Sequence, residues 1–398
     1  MAEHSSRPQA RRSIFGLAAA ALLTFALSAC QLVPQGDLNP SPPVVETQQP
    51  EAPPPSPNLP TDETRNRVAV LVPLSGPNSG VGQSIANAAN LALLDTGGER
   101  IRITAYDTAH GAQAAANEAL ADGNGLILGP LLAEDVRAVA PIAKRAGVPV
   151  ISFSNDVSVA QSGVYIMGFT PGQSVARVVS FAHNKGIERF AALIPDGIYG
   201  RRASQAMIDA VERSGGRMIG MQSFDRSPAS LKSAIARLNG QGAYDAVLIA
   251  DSGRIALTAA PLIRAGSSGQ ARILGTELWA SESGLGSQPA LRGAWFASAS
   301  DGMFNQLKTR YRARYGVAPY RLASLGYDAV LLAVRIGGEW RVGRSFPRGA
   351  LLDPGGFTGV DGAFRFGASG IAERALQVEQ VETGGPIVVS QAAKGFDD

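Results

Sequence analysis

Residues 68–93 read VAVLVPLSGPNSGVGQSIANAANLAL. Residues 68–72 are an uninterrupted apolar run, and Pro73 ends it. A loop rich in Gly, Ser and Asn follows, and then Ile85, Ala88, Ala89, Ala92 and Leu93 recur at helical spacing. A short, wholly apolar run bounded by turn residues reads as a parallel strand buried on both faces. Strand, tight polar loop and helix open a doubly wound α/β sheet. Such sheets bind ligands at the loops leaving the carboxyl ends of their strands. The loop 74–82 is therefore the first candidate wall of a site, with Ser75, Asn78 and Ser79 as its donors.

The same rhythm continues outward. Strands are expected at 100–106, 125–128 and 148–153, with helices at 110–122 and 132–146 between them. Near 165–169 the rhythm restarts. Helices at 173–185, 200–214, 231–238 and 254–264 alternate with strands at 190–194, 217–224, 244–250 and 272–274. Two more helices are expected at 305–315 and 323–336, and antiparallel hairpins at 360–389. The pattern predicts an α/β fold of two doubly wound parallel-sheet lobes joined by crossover strands. A small internal echo, GQSIA at 82–86 and GQSVA at 172–176, suggests that these two helices open equivalent blocks.

The chain of 398 residues is 45% hydrophobic, 17% charged and 6% aromatic, with a net charge of +3. Its scattered basic residues lack the patch that a nucleic-acid reader needs. Ahead of the folded part, Arg7, Arg11 and Arg12 precede the apolar run 14–27, which ends in Leu27-Ser28-Ala29-Cys30. This is a secretion signal too short to span a bilayer comfortably, and it resembles a bacterial lipobox. The single cysteine of the chain, Cys30, stands where lipidation requires it. Gln31, rather than Asp, resembles the sorting signal for the outer membrane of a Gram-negative bacterium. Ten prolines within 31–60 then predict a disordered or polyproline-like tether, with a reach of roughly 100 Å if fully extended.

Conventional catalytic chemistry is scarce. Gly80-Val81-Gly82 starts a dinucleotide fingerprint, but Ile85 occupies the third glycine position, and no P-loop exists. Only His4, His110 and His183 are present, which gives little for a metal site or a triad. Asp196, Asp251 and Glu277 fall at expected strand ends, where capping and loop solvation compete with any functional role. The expectation is a non-enzyme with no cofactor, no metal and no nucleic-acid partner.

Several stretches together resemble the type 1 periplasmic binding proteins. VAVLVPLSGPNSGVGQ, YDTAHGAQAAANEAL and GLILGPLLAEDVRAVAPIAKRAGVPVISFSND are similar to their first lobe. FTPGQSVARVVSFA, PDGIYGRRASQAM, YDAVLIADSG and LGTELW are similar to the second, and PYRLASLGYDAVLLA and GVDGAFRFGASG to the returns. Within that group, PLSG, VGQSI, GPLLAEDV, SND, PDGIYG and GTELW resemble the lipoprotein branch of the penicillin-binding protein activator. The resemblance implies residues 1–29 as a lipoprotein signal peptide and 30–65 as a lipid-anchored linker. It implies 66–169 with 301–340 as one lobe, and 170–300 with 341–398 as the other.

It further implies a module that regulates peptidoglycan synthesis by contacting a peptidoglycan synthase, a penicillin-binding protein. The alternative is a solute-binding lipoprotein for a branched-chain or other amino acid, acting with an ABC transporter. The candidate cleft residues are Ser75, Asn78, Ser79, Leu131, Ser154, Asn155, Asp196, Tyr199, Asp251, Glu277 and Trp279, around a possible small polar ligand. Amino-acid binders place a small hydroxyl residue after strand three. Here Leu131, Leu132 and Glu134 stand in that loop, and they are poor holders of a carboxylate. A cleft filled by Leu131 or Trp279 would favour the regulator.

Overall fold

The computed structural model describes residues 64–396. The expected signal peptide, the Cys30 anchor and the linker up to residue 63 lie outside the described residues.

β1 (Asn66–Val72) runs parallel between β2 (Ile101–Asp107) and β3 (Leu126–Leu128). β4 (Val150–Ser152) and β5 (Val164–Ile166) complete a parallel sheet of order β2-β1-β3-β4-β5. The apolar run of β1 follows from covering both of its faces. Val68, Val70 and Val72 join a core with α1 (Ser79–Asp95) and α9 (Ala323–Gly337). Ala69 and Leu71 join a second core with α2 (Ala112–Ala121) and α3 (Ala133–Ala146). Each fully buried leucine or valine stabilises this packing by about 1.5–3 kcal/mol.

The second sheet repeats the plan. β6 (Arg189–Pro195) lies between β7 (Arg217–Phe224) and β8 (Ala246–Ile249), followed by β9 (Arg272–Gly275) and β10 (Trp295–Ser298). Its residues also alternate between two cores: Ala191 and Leu193 on one side, Phe190, Ala192 and Ile194 on the other. α4 (Pro171–Asn184) packs on α5 (Ile198–Ser214), as α9 packs on α1. α6 (Pro228–Asn239) and α7 (Gly253–Arg264) cover the opposite face. β14 (Gln377–Glu382) and β15 (Gly385–Ser390) extend this sheet antiparallel beyond β10.

The strand order makes β1 the counterpart of β6, and so α1 the counterpart of α5. The echo between residues 82–86 and 172–176 pairs α1 with α4 and is not a structural repeat. The structural repeat is a close approach. A Cβ on Gly82 would overlap the Pro73 carbonyl oxygen, and one on Gly200 would overlap that of Pro195. In each lobe the helix that follows the first strand thus sits tight against the proline ending that strand.

A second correction concerns the lobe boundary. Residues 341–374 pack with the first lobe, not the second. Phe346, Leu351, Phe357, Val360, Phe364, Phe366 and Ala372 lie in the core of α1 and α9. The small antiparallel sheet of β11 (Phe357–Gly359), β12 (Gly362–Phe366) and β13 (Ala372–Arg374) is held there by the Ile166–Ile371 bridge. Edge contact of Phe366 with Tyr165 at 5.4 Å adds to it. Long-range bonds close the lobe, including Asn66 Nδ2 donating to the Trp340 carbonyl at 2.7 Å. The chain therefore passes between lobes at 167–170, at 299–300 ahead of α8 (Asp301–Tyr315), and at 375–376. Among the described residues, no helix is long and apolar enough to cross a membrane.

Candidate functional site

The carboxyl ends of the two sheets face a cleft, with a cavity of about 250 Å³ between them. Lobe one contributes Leu131, Leu132 and Glu134 from the loop after β3 and the start of α3, and Ser154–Asp156 after β4. Lobe two contributes Pro171 at the start of α4, and Ile198, Tyr199 and Arg202 from the first turns of α5. Of the residues picked out in the sequence, Leu131, Ser154, Asn155 and Tyr199 meet here.

The lobe-one wall has spent many of its donors on itself. Ser152 Oγ donates to the Pro130 carbonyl and accepts from the Ser154 amide, at 3.0 Å each. Ser154 Oγ in turn accepts from the Asp156 amide at 3.1 Å. The amino end of α3 carries Glu134 and Asp135 in its first turn. These carboxylates satisfy the helix dipole that would otherwise attract an anion. Burial raises the Asp135 carboxyl above its ordinary range.

The lobe-two wall is built differently. Behind Tyr199, Glu277 follows β9 in a short 3-10 turn (Glu277–Trp279). The Tyr199 hydroxyl lies 3.0 Å from Glu277 Oε1 and 3.1 Å from Thr276 Oγ1. Ser174 Oγ donates to the other Glu277 oxygen. Burial raises the Glu277 carboxyl above its usual range, and it also drives the Tyr199 phenol well above its own. Ser174 and Arg202 were not picked out from the sequence. The available signals were GQS opening α4 and the Arg201-Arg202 pair one turn into α5.

One ion pair joins the walls. Asp156 Oδ1 of lobe one stands 3.4 Å from Arg202 Nη2 of lobe two, while Asp156 Oδ2 takes Arg137 Nη2 at 2.9 Å. Burial alone would raise the Asp156 carboxyl, but bonds from Ser158 and the two arginines outweigh it and lower it.

Other expected residues fall outside the cavity. Ser75 donates to Asp107 Oδ2 at 2.7 Å and lies 3.2 Å from His110 Nε2. This is not a catalytic triad. Asp107 is bonded to the serine itself and stands 3.9 Å from that same ring nitrogen, instead of orienting the far one. Burial pushes the Asp107 carboxyl up, but bonds from Ser75 and from the amides of Ala109 and Leu74 hold it at about 2. Asn78 is exposed, and Ser79 begins α1. Asp196 is exposed at the end of β6. Asp251 is buried and paired with Arg226 Nε at 2.7 Å. Trp279 is a correction. It is fully buried in the lobe-two core, with Nε1 donating to the Asp251 carbonyl at 3.0 Å, and it does not fill the cleft. Among the described residues, no group of three or more His, Cys, Asp or Glu side chains could hold a metal ion.

A family model described as periplasmic binding protein matches residues 66–385. An uncharacterised protein of Rickettsia prowazekii (strain Madrid E) is 24% identical over 176 residues, 43% of this chain and 47% of that protein. The match thus spans about half the length of that relative. A solved structure assigned to a branched-chain amino acid ABC transporter of Rhodospirillum rubrum superposes with a TM-score of 0.70 at 22% identity. It covers 82% of this chain and 100% of that one. A leucine-binding protein of Thermotoga maritima MSB8 gives a TM-score of 0.54 at 22% identity, covering 82% and 98%. An ABC transporter solute-binding protein of R. palustris, in complex with benzoate, gives 0.59 at 18% identity, covering 84% and 98%.

Proposed function

The chain belongs to the periplasmic binding protein family, and from that premise we propose that its interlobe cavity takes up a small solute for an ABC transporter. The observation that carries this reading is the partly open cavity walled by Leu131, Leu132, Ile198 and Tyr199. Its volume of about 250 Å³ suits a molecule of amino-acid size. Leu131, Leu132 and Ile198 offer apolar contact to the body of the solute. The Tyr199 hydroxyl, oriented by Glu277 behind it, offers an acceptor to a donor such as an amine, amide or hydroxyl. The self-bonded wall of lobe one and the carboxylates of α3 disfavour a free ligand carboxylate there. A plain branched-chain amino acid therefore fits less well than a solute whose carboxyl is masked or absent. In this reading the protein works in the periplasm and carries out no chemistry on its solute.

The test is a thermal-shift panel of amino acids, amino-acid amides, small amines and aromatic acids on the purified protein. A true ligand at a hundredfold its Kd stabilises by about 2.7 kcal/mol. The reading fails if no compound stabilises the protein, or if Tyr199→Phe binds its best compound unchanged.

A second reading rests on the Asp156–Arg202 pair and the self-satisfied donors beside it, which suit a cleft that needs no solute. In it the module contacts a penicillin-binding protein and regulates peptidoglycan synthesis from an outer-membrane lipid anchor on Cys30. Pull-down of the anchored protein from membranes separates the two, since permease subunits support the first and synthases the second. Loss of labelled-palmitate incorporation in Cys30→Ser tests the anchor.

A further inference from the structure

Away from the cleft, three buried charged side chains and the partly exposed Arg321 share one cluster. Asp328 lies in α9, Arg321 just before it, Asp361 between β11 and β12, and Arg374 at the end of β13. Asp328 and Asp361 are 1% and 0% exposed, and Arg374 is 7% exposed. Asp328 Oδ1 accepts from the Val360 amide at 2.7 Å, and Arg374 Nη2 donates to the Met167 carbonyl at 2.8 Å. Arg321 Nη1 stands 2.5 Å from Asp361 Oδ1 without hydrogen-bond alignment. Asp328 Oδ2, both Asp361 oxygens, and Arg374 Nε and Nη1 make no hydrogen bond within the protein. Apart from the Arg321–Asp361 ion pair, buried acceptors and buried donors of opposite charge thus sit in one cluster without bonding each other. Each such group carries a desolvation cost that a shift of the side chains would relieve.

The cluster is placed where the lobes are joined. The Arg374 guanidinium lies over Phe169 at 4.7 Å, in the first passage between lobes, and Arg374 itself immediately precedes the third. Arg321 lies over Phe169 at 5.7 Å and over Phe304 at 4.1 Å, just beyond the second passage. Asp301 of α8 faces Arg321 Nε at 4.0 Å. The remaining nearby charges, Arg365 of β12 and Glu373 of β13, pair with each other at 2.9 Å. Burial and the neighbouring Asp361 raise the Asp328 carboxyl to about 7, against the attraction of Arg374.

We propose that this cluster is a proton-operated hinge. The proton on Asp328 decides whether Arg374 stays on the Met167 carbonyl or turns its free Nε and Nη1 onto the carboxylates, and that choice sets the angle between the lobes. With the proton in place, Arg374 ties the third passage to the first. Once it is lost, the ionised Asp328 draws Arg374 away, and the tie across the hinge loosens.

The test measures the lobe-to-lobe distance without any solute, so its failure leaves the solute reading untouched. Spin labels on Glu99→Cys in lobe one and Arg213→Cys in lobe two, in a full chain carrying Cys30→Ser, report that distance by double electron–electron resonance. Between about pH 5.5 and about pH 8.5, either side of the Asp328 midpoint of about 7, the distribution shifts and broadens. In Asp328→Asn the distribution stays fixed across this range. An unchanged distribution in the labelled parent chain overturns the proposal, and so does a full shift in Asp328→Asn. Asp361→Asn leaves the bond from the Val360 amide to Asp328 in place and serves if Asp328→Asn does not fold. A full shift in that variant also overturns the hinge.

Discussion

The two lobes share a strand order and the same glycine-on-proline contact, yet they present different chemistry to the cleft. Lobe one lines it with Glu134, Asp156 and serine groups bonded among themselves. Lobe two lines it with Ile198, Tyr199 and Arg202, with Glu277 behind the tyrosine. The difference lies in the loops, because the sheets beneath them are alike. The fold therefore fixes where a ligand would sit, and the loops fix what it can be.

The largest expected effect is on the hinge that both lobes depend on. Arg374→Met leaves Asp328 and Asp361 without their buried cation and costs about 3–5 kcal/mol in chemical denaturation. Arg189→Met, which breaks an exposed pair with Asp245, costs no more than about 1 kcal/mol and serves as the control. If the lobes are equivalent where the helix after the first strand begins, Gly82→Ala and Gly200→Ala each cost about 1–3 kcal/mol by overpacking. Clearly unequal losses would break that equivalence.

The pH dependence sharpens the contrast further. In the folded chain Asp328 keeps its proton to about 7, whereas an unfolded aspartate releases it near about 3.9. Between those values the folded state binds the extra proton, so this group's contribution falls as pH rises and stays lost above about 7. Melting temperatures at about pH 5 and about pH 8 are expected to converge in Asp328→Asn. Asp107 acts with the opposite sign. Held at about 2, it adds stability above the ordinary aspartate range that disappears only in acid.

Tyr199→Phe removes one hydroxyl from the lobe-two wall. It should weaken a bound solute by about 1 kcal/mol, roughly fivefold, in calorimetry. The smallest effect is expected at the bridge between the rims. Arg202→Ala should cost at most about 1 kcal/mol, and less at high salt. A larger or salt-independent loss would show that the two rims are held together more strongly than their exposure suggests.

How much of this was legible in the sequence depended on the range of the interaction. β1 announced itself because both of its faces are covered, which makes every residue apolar. The loops after β3, β4 and β6 were found for the same reason, since strand ends are readable. β10 was missed because Trp295–Ser298 is four residues long and follows irregular turns. The boundary lies near 374 and not at 340, because long-range contacts such as the Ile166–Ile371 bridge and the aromatic residues of β11 and β12, which leave no local pattern, place that stretch in the first core. Trp279 does not line the cleft because the 3-10 turn at the end of GTELW carries its ring inward. Arg202 carries no loop signal because it lies one turn inside a helix. The echo GQSIA/GQSVA misled because both segments start helices. The true repeat, a proline carbonyl under a glycine, has different spacing in the two lobes.

The lobe boundary has a consequence for how the chain is made. β1 is bonded to Trp340, and its core needs α9 and the aromatic residues of β11 and β12. The first lobe cannot close until almost the whole chain is available. Contacts of such long sequence separation make folding slow. A secreted polypeptide gains from that delay, because its leading segments hold no finished globule while the rest is still being threaded across a membrane.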